Sequence, residues 1–275
     1  MLSNAYFASM NSRQVYPILF LTVILLNVHL PAFSQKSKVY TRADTLRGSL
    51  STARTAYDVT YYDLYLSIFP EKRSIQGYNT IHFKAKQAER RLQFDLFSNM
   101  KIDSVVFRGE QLVPQREHHA FFVYLPIELV PEQMYSLSVY YQGVPQIAAN
   151  PPWDGGFVWR KDEKQRPFIG VACEGTGASL WWPCKDHLSD EPDSMRIQTE
   201  VPAELFSKSN GRLADSALLE NGRKWFDWRV SYPINNYNVT LNIGHYAYWK
   251  DSYPSEDGDE LGLHYYVLDY QLEKA

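Results

Sequence analysis

The chain has 275 residues, enough for one large domain or two ordinary ones with a real core. Hydrophobic residues make up 45% and charged residues 21%, a balance that excludes wholesale disorder. A net charge of −3 and a pI near 6.2 exclude a strongly basic nucleic-acid binder, so no nucleic-acid partner is expected.

Taken from the N-terminus, the first feature is an apolar run from Pro17 to Leu30, preceded by a single charged residue, Arg13. Pro31-Ala32-Phe33-Ser34 follows, with small residues placed for a cut before Gln35. A basic flank, an apolar stretch and a small-x-small site describe a secretory signal peptide over residues 1–34, and a start at Met10 would make it more compact. Asn27 and His29 interrupt the run, which is too short for a comfortable membrane span. The expected destination is therefore periplasmic or extracellular, with no membrane span in the mature chain. Residues 35–56 are polar, with Lys, Arg, Ser and Thr, and read as a linker.

From Tyr57 the pattern has a period of two. Tyr62, Leu64, Leu66 and Ile68 share one face of a predicted strand over Thr60–Phe69. Ile81, Phe83 and Ala85 repeat the alternation, as do Tyr135, Leu137, Val139 and Tyr141. Tyr237, Val239, Leu241 and Ile243 give its cleanest form. Further strands are predicted at Ile102–Phe107, Ala120–Leu125, Phe168–Cys173, Arg196–Val201, Trp225–Val230 and Leu263–Leu268, separated by turns such as Asn210-Gly211 and Asn221-Gly222. The 20 Tyr, 14 Phe and 7 Trp suit such pleated, half-buried surfaces. No long window carries a 3.6-residue apolar stripe. The expected fold is all-β: a large antiparallel sandwich, bent or saddle-like, over residues 57–275.

Self-sufficient catalytic machinery is not legible. None of the seven histidines is followed by Glu, so a His-Glu-x-x-His zinc helix is absent, and no other His pair has a persuasive ligand spacing. The adjacent His118 and His119 read as solvated turn residues. A Gly-x-Ser-x-Gly elbow and a phosphate-binding Gly-x-x-x-x-Gly-Lys loop are also missing. Cys173 and Cys184 are the only cysteines and read as free or locally paired. Two segments stand out: Asn150-Pro-Pro-Trp-Asp-Gly-Gly-Phe-Val-Trp159, and Val171-Ala-Cys-Glu-Gly-Thr-Gly-Ala-Ser-Leu-Trp-Trp-Pro-Cys184. Glu174 lies between a predicted strand and the Gly175-Thr176-Gly177 turn. Its carboxylate can face a cleft and pair with a substrate cation, or cap local backbone N–H groups.

These segments resemble the N-terminal β domain of the M1 family of zinc aminopeptidases, the aminopeptidase N-like gluzincins. In that family a Gln or Glu lies nine residues before the Pro of a Phe-Pro-Cys-x-Asp-Glu-Pro-like stretch. Here Glu174 lies nine before Pro183, in Trp182-Pro183-Cys184, with Asp190-Glu191-Pro192 further on. The resemblance extends through Tyr232-Pro-Ile-Asn-Asn-Tyr-Asn-Val-Thr-Leu-Asn-Ile-Gly244. Ala178-Ser179 departs from the family's usual Ala-Arg, and four extra residues precede Asp190. The resemblance implies that Glu174 binds the α-amine of peptide substrates with a free N-terminus. It also implies a zinc ion (Zn2+) in the complete enzyme, held by a catalytic domain that follows this one. No residue of this chain matches the zinc ligands, the general base or the Gly-x-Met-Glu motif, so no catalytic or metal residue is expected here and the chain alone is expected to be inactive. A different class of function is a non-catalytic exported β module that binds peptide or glycan through its Trp-rich loop.

Overall fold

In the computed structural model residues 39–254, 257, 258 and 260–275 are described. The expected signal peptide lies outside them. Arg42–Ala275 form one compact unit. Two short helices, α1 (Arg42–Gly48) and α2 (Thr52–Thr55), lead into the strands. The strands are β1 (Tyr57–Phe69), β2 (Ser74–Ala85), β3 (Arg91–Asp95), β4 (Met100–Phe107), β5 (Glu110–Leu112), β6 (Gln115–Glu117) and β7 (Ala120–Tyr124). They continue as β8 (Met134–Gly143), β9 (Gly156–Lys161), β10 (Pro167–Ala172), β11 (Ser194–Pro202) and β12 (Phe206–Ser209). The last are β13 (Arg212–Leu218), β14 (Arg223–Val230), β15 (Leu241–Gly244), β16 (Tyr246–Pro254) and β17 (Glu260–Leu268).

The expected all-β, predominantly antiparallel architecture is what these strands build. An eight-stranded sheet runs in the order β13-β14-β11-β1-β2-β8-β4-β5, with β1 and β11 joined in parallel. A four-stranded sheet, β12-β15-β10-β9, and a three-stranded one, β3-β7-β6, accompany it, and β16 and β17 form a hairpin. On β1, Tyr62, Leu64, Leu66 and Ile68 are all fully buried, as the alternation requires. Tyr57 and Val59 are buried too, although they have the opposite parity. A register shift between Val59 and Tyr61 reconciles them: one extra residue flips the phase, so both halves of the strand face the same core. On β14, a buried Trp228 donates its indole N–H to the Ser207 carbonyl of β12 at 2.9 Å, tying the large sheet to the four-stranded one.

Two expectations need correction. Tyr237 and Val239 do not extend β15; residues Asn236–Asn238 form a 3-10 turn, because the Asn235 side chain captures the Tyr237 N–H at 2.9 Å and stops the ladder. The segment expected as a linker up to residue 56 is, from Arg42, part of the folded unit. Leu46, Ala53 and Ala56 are buried, and Arg54, fully buried, makes a forked ion pair with Asp95, both N–O distances being 2.6 Å.

Removing Arg54 strands a buried carboxylate. Arg54→Ala is therefore expected to cost about 3–5 kcal/mol of unfolding free energy, read from urea midpoints. Burial pushes the Asp95 carboxyl up to about 6 even with Arg54 beside it. A carboxyl whose pKa rises on folding takes up a proton on folding, so its contribution to stability falls as pH rises. Without Arg54 that pKa climbs further, and the penalty of Arg54→Ala should widen as pH rises above about 6. A change of less than about 1 kcal/mol would mean that the Arg54–Asp95 pair does not hold this segment to the strands.

Candidate substrate-anchoring site

β10 belongs to the four-stranded sheet and β11 to the eight-stranded one, so the segment 173–193 must pass from one to the other. Its apolar residues fill the space it crosses. Trp181 and Trp182 are fully buried. Trp182 meets Tyr62 of the large sheet edge-on at 4.9 Å, and Trp181 meets Phe157 of the small one at 6.0 Å. The Trp-rich loop is thus core packing, and the alternative in which it binds peptide or glycan loses its two central rings. Trp153, by contrast, is 74% exposed.

Polar groups hold the crossing in place. Asn79, buried on β2, donates to the Pro183 carbonyl at 2.8 Å. The Lys185 ammonium is buried among the Tyr57 carbonyl at 2.6 Å, the Asp190 carboxylate at 3.1 Å and the Tyr57 ring. Burial pulls the Lys185 pKa down and pushes the Asp190 pKa up, and their contact opposes both. Cys184 exchanges backbone hydrogen bonds with Asp95, and the Asp186 N–H donates to the Asp95 side chain at 2.9 Å. The Asp186 carboxylate reaches back to accept from the Ser179 N–H at 3.0 Å and hydroxyl at 2.6 Å. Cys173 and Cys184 are both free and buried; burial pushes the Cys173 thiol up to about 12 and Cys184 also well above its ordinary value.

Glu174 stands on the exposed side of this structure. The turn that carries it is closed by the Cys173 carbonyl, which accepts from the Thr176 N–H at 3.1 Å and the Gly177 N–H at 2.8 Å. Arg47 of α1 donates to the Gly175 carbonyl at 2.9 Å. The glycines are spatial necessities: a Cβ on Gly177 would lie 2.3 Å from the Asp186 carboxylate, at a φ of +83°. A Cβ on Gly155 would lie 1.6 Å from the Thr176 hydroxyl and 2.7 Å from the Glu174 carbonyl. The two segments singled out in the sequence, 150–159 and 171–184, therefore meet behind Glu174. The Tyr237 hydroxyl donates to Glu174 Oε2, and holding that proton against a carboxylate raises the Tyr237 pKa. Sequence periodicity hides Tyr237 by assigning it to a strand. His118 and His119 lie outside this constellation, on the β6–β7 turn, where the His119 ring stacks on Phe97 at 4.1 Å. Among the described residues no group of three or more His, Cys, Asp or Glu side chains could hold a metal ion, so the zinc of the resembling family is assigned to no residue here.

The fold is that of a β domain with Glu174 on an exposed, held turn, and it is shared with part of the M1 zinc metallopeptidases of known structure. The crystal structure of such an enzyme from Deinococcus radiodurans superposes with a TM-score of 0.66 at 19% identity, covering 78% of this chain and 48% of that one. A mutant of the same enzyme bound to a Tyr-Ser-Ala substrate also matches at 0.66, with 20% identity over 78% of this chain and 48% of that one. Residues 59–237 match the Peptidase M1 N-terminal domain, and the chain belongs to that family. Aminopeptidase N of Escherichia coli is 30% identical over 124 residues, covering 40% of this chain and 14% of that protein. Aminopeptidase N of Haemophilus influenzae is 31% identical over 94 residues, covering 32% and 11%. The matched regions thus span a small part of the relatives' length.

The contact between the two loops makes a direct test of the turn. Gly155→Ala should cost about 1–3 kcal/mol in denaturant unfolding, because the added methyl meets backbone as well as Thr176. An unchanged midpoint would mean that segment 150–155 moves off the Glu174 turn without cost.

Proposed function

We propose that this chain is the substrate-anchoring N-terminal domain of an exported M1 zinc aminopeptidase, and that Glu174 binds the α-amine of the substrate peptide. The observation that carries the reading is the placement of Glu174, on an exposed turn whose backbone is held by Arg47, Gly155 and Gly177, within a chain of this family. A carboxylate recognises a primary ammonium by charge-assisted hydrogen bonds, which are about twice as strong as neutral ones. An anchor for the first residue's amine sets the scissile bond one residue away, so amino acids leave one at a time. Zinc hydrolysis belongs, on this reading, to a catalytic domain on which this one packs, and no step of it is placed on the residues described here. Export is proposed on the strength of the 1–34 segment.

In the complete enzyme, Glu174→Ala should raise KM for free-amine peptides at least about tenfold, the loss of one charge-assisted contact. Thermal melting should change little, since the side chain is exposed. Wild-type preference for unblocked over acetylated N-termini in that variant would remove the amine-anchor assignment. The 275-residue chain alone should release no amino acid from an aminoacyl anilide, with or without added zinc. Chelator-sensitive turnover by it would overturn the division of labour. Export predicts a mature protein beginning at Gln35, and mass spectrometry of the secreted or periplasmic product checks it.

A further inference from the structure

A glutamate on an exposed turn has several free torsions, and a loose carboxylate loses orientational entropy whenever it grips a ligand. Glu174 is not loose. Its Oε2 accepts from the Tyr237 hydroxyl, whose oxygen is itself carried on a mount built into the core. Asn235 Oδ1 accepts from the Tyr237 backbone N–H at 2.9 Å. The neighbouring Asn236 is only 4% exposed and donates to the Lys185 carbonyl at 2.9 Å. Lys185 is the residue buried between Tyr57 and Asp190, so the mount of Tyr237 and the crossing loop share one anchor.

We propose that Tyr237 is a positioning residue for the amine site: its hydroxyl occupies Glu174 Oε2 and presents Oε1 to the substrate ammonium. The inference rests on the reading of Glu174 given above. It assigns Tyr237 a role distinct from packing, because the ring is 41% exposed and its hydroxyl is directed at a carboxylate on a different loop. The hydrogen bond orders the carboxylate before the substrate arrives, which lowers the entropic cost of binding and leaves bond cleavage untouched.

Tyr237→Phe keeps the ring and removes the donor. In the complete enzyme, KM for an aminoacyl anilide should rise about threefold to tenfold, while kcat changes by less than about twofold. The double variant Glu174→Ala/Tyr237→Phe should be no worse than Glu174→Ala, because the tyrosine acts only through the carboxylate. An unchanged KM in Tyr237→Phe together with a raised KM in Glu174→Ala overturns the role of Tyr237 and leaves the Glu174 reading standing. Unchanged KM in both variants overturns both. Additive losses in the double variant also overturn the proposal, since Tyr237 would then act apart from Glu174. A second measurement needs neither catalysis nor a folded Tyr237 variant. In the 275-residue chain, the pH titration of the Tyr237 ring carbon, followed by NMR, should move toward the ordinary tyrosine value in Glu174→Gln. A titration that does not move means that the contact is not made in solution, and overturns the proposal.

Discussion

The buried pair of Arg54 and Asp95 is the constraint on which the candidate site depends. Asp95 uses both carboxylate oxygens: each accepts from Arg54, and one also takes the Asp186 N–H. Arg54 spends its other terminal nitrogen on the Arg47 carbonyl at 2.7 Å. The two partners therefore reach the Glu174 loop from opposite ends. Through Arg47 the arginine reaches the Gly175 carbonyl, and through Asp186 the aspartate reaches Ser179. A pair of buried charges is a weak source of net stability, because desolvation offsets most of the attraction. Its geometric consequence is strong, since any displacement of one partner leaves the other unpaired in the core.

The same logic explains why so irregular a segment can lie inside a β sandwich. A loop that leaves one sheet for another gives up ladder hydrogen bonds, and each orphaned group must be satisfied locally. Here Asn79, Tyr62, Asn236 and Asp95 serve the backbone of residues 183–186, and each comes from a different part of the chain. The indole rings of Trp181 and Trp182 fill the volume between the sheets. A tight interior permits an ordered exterior: the turn bearing Glu174 has few degrees of freedom left once residues 178–186 are fixed beneath it.

Much of this was legible in the sequence wherever one face of a strand is buried. The alternation Tyr62, Leu64, Leu66, Ile68 translates directly into a core face. It fails where burial is absent: all seven residues of β13 are exposed, so that strand has no apolar period to betray it. It also fails where side chains compete with the backbone, as at Asn235, whose carboxamide ends the ladder that the alternation from Tyr237 to Ile243 suggests. Arg54 illustrates a third limit. A lone arginine in a polar stretch reads as solvated, and only its distant partner Asp95 shows that it is core. Glu174 was singled out through the family resemblance that its spacing from Pro183 carries, whereas Tyr237, 63 residues further along the chain, becomes a neighbour only through the fold.

The division between interior and edge bears on why an amine anchor would be carried by a β domain at all. Recognition of one ammonium requires a carboxylate at a fixed distance from the bond to be cut, and an error of about 1 Å is costly. A side chain on a flexible loop meets that requirement poorly, and one on a regular strand is fixed by the pleat and cannot be advanced toward a partner domain. The crossing segment of this chain offers an intermediate solution. Its backbone is irregular enough to leave Glu174 exposed on a turn, yet it is held by the buried contacts of residues 183–186. On the proposed reading, orientation comes from the scaffold, the charge comes from Glu174, and Tyr237 links the two.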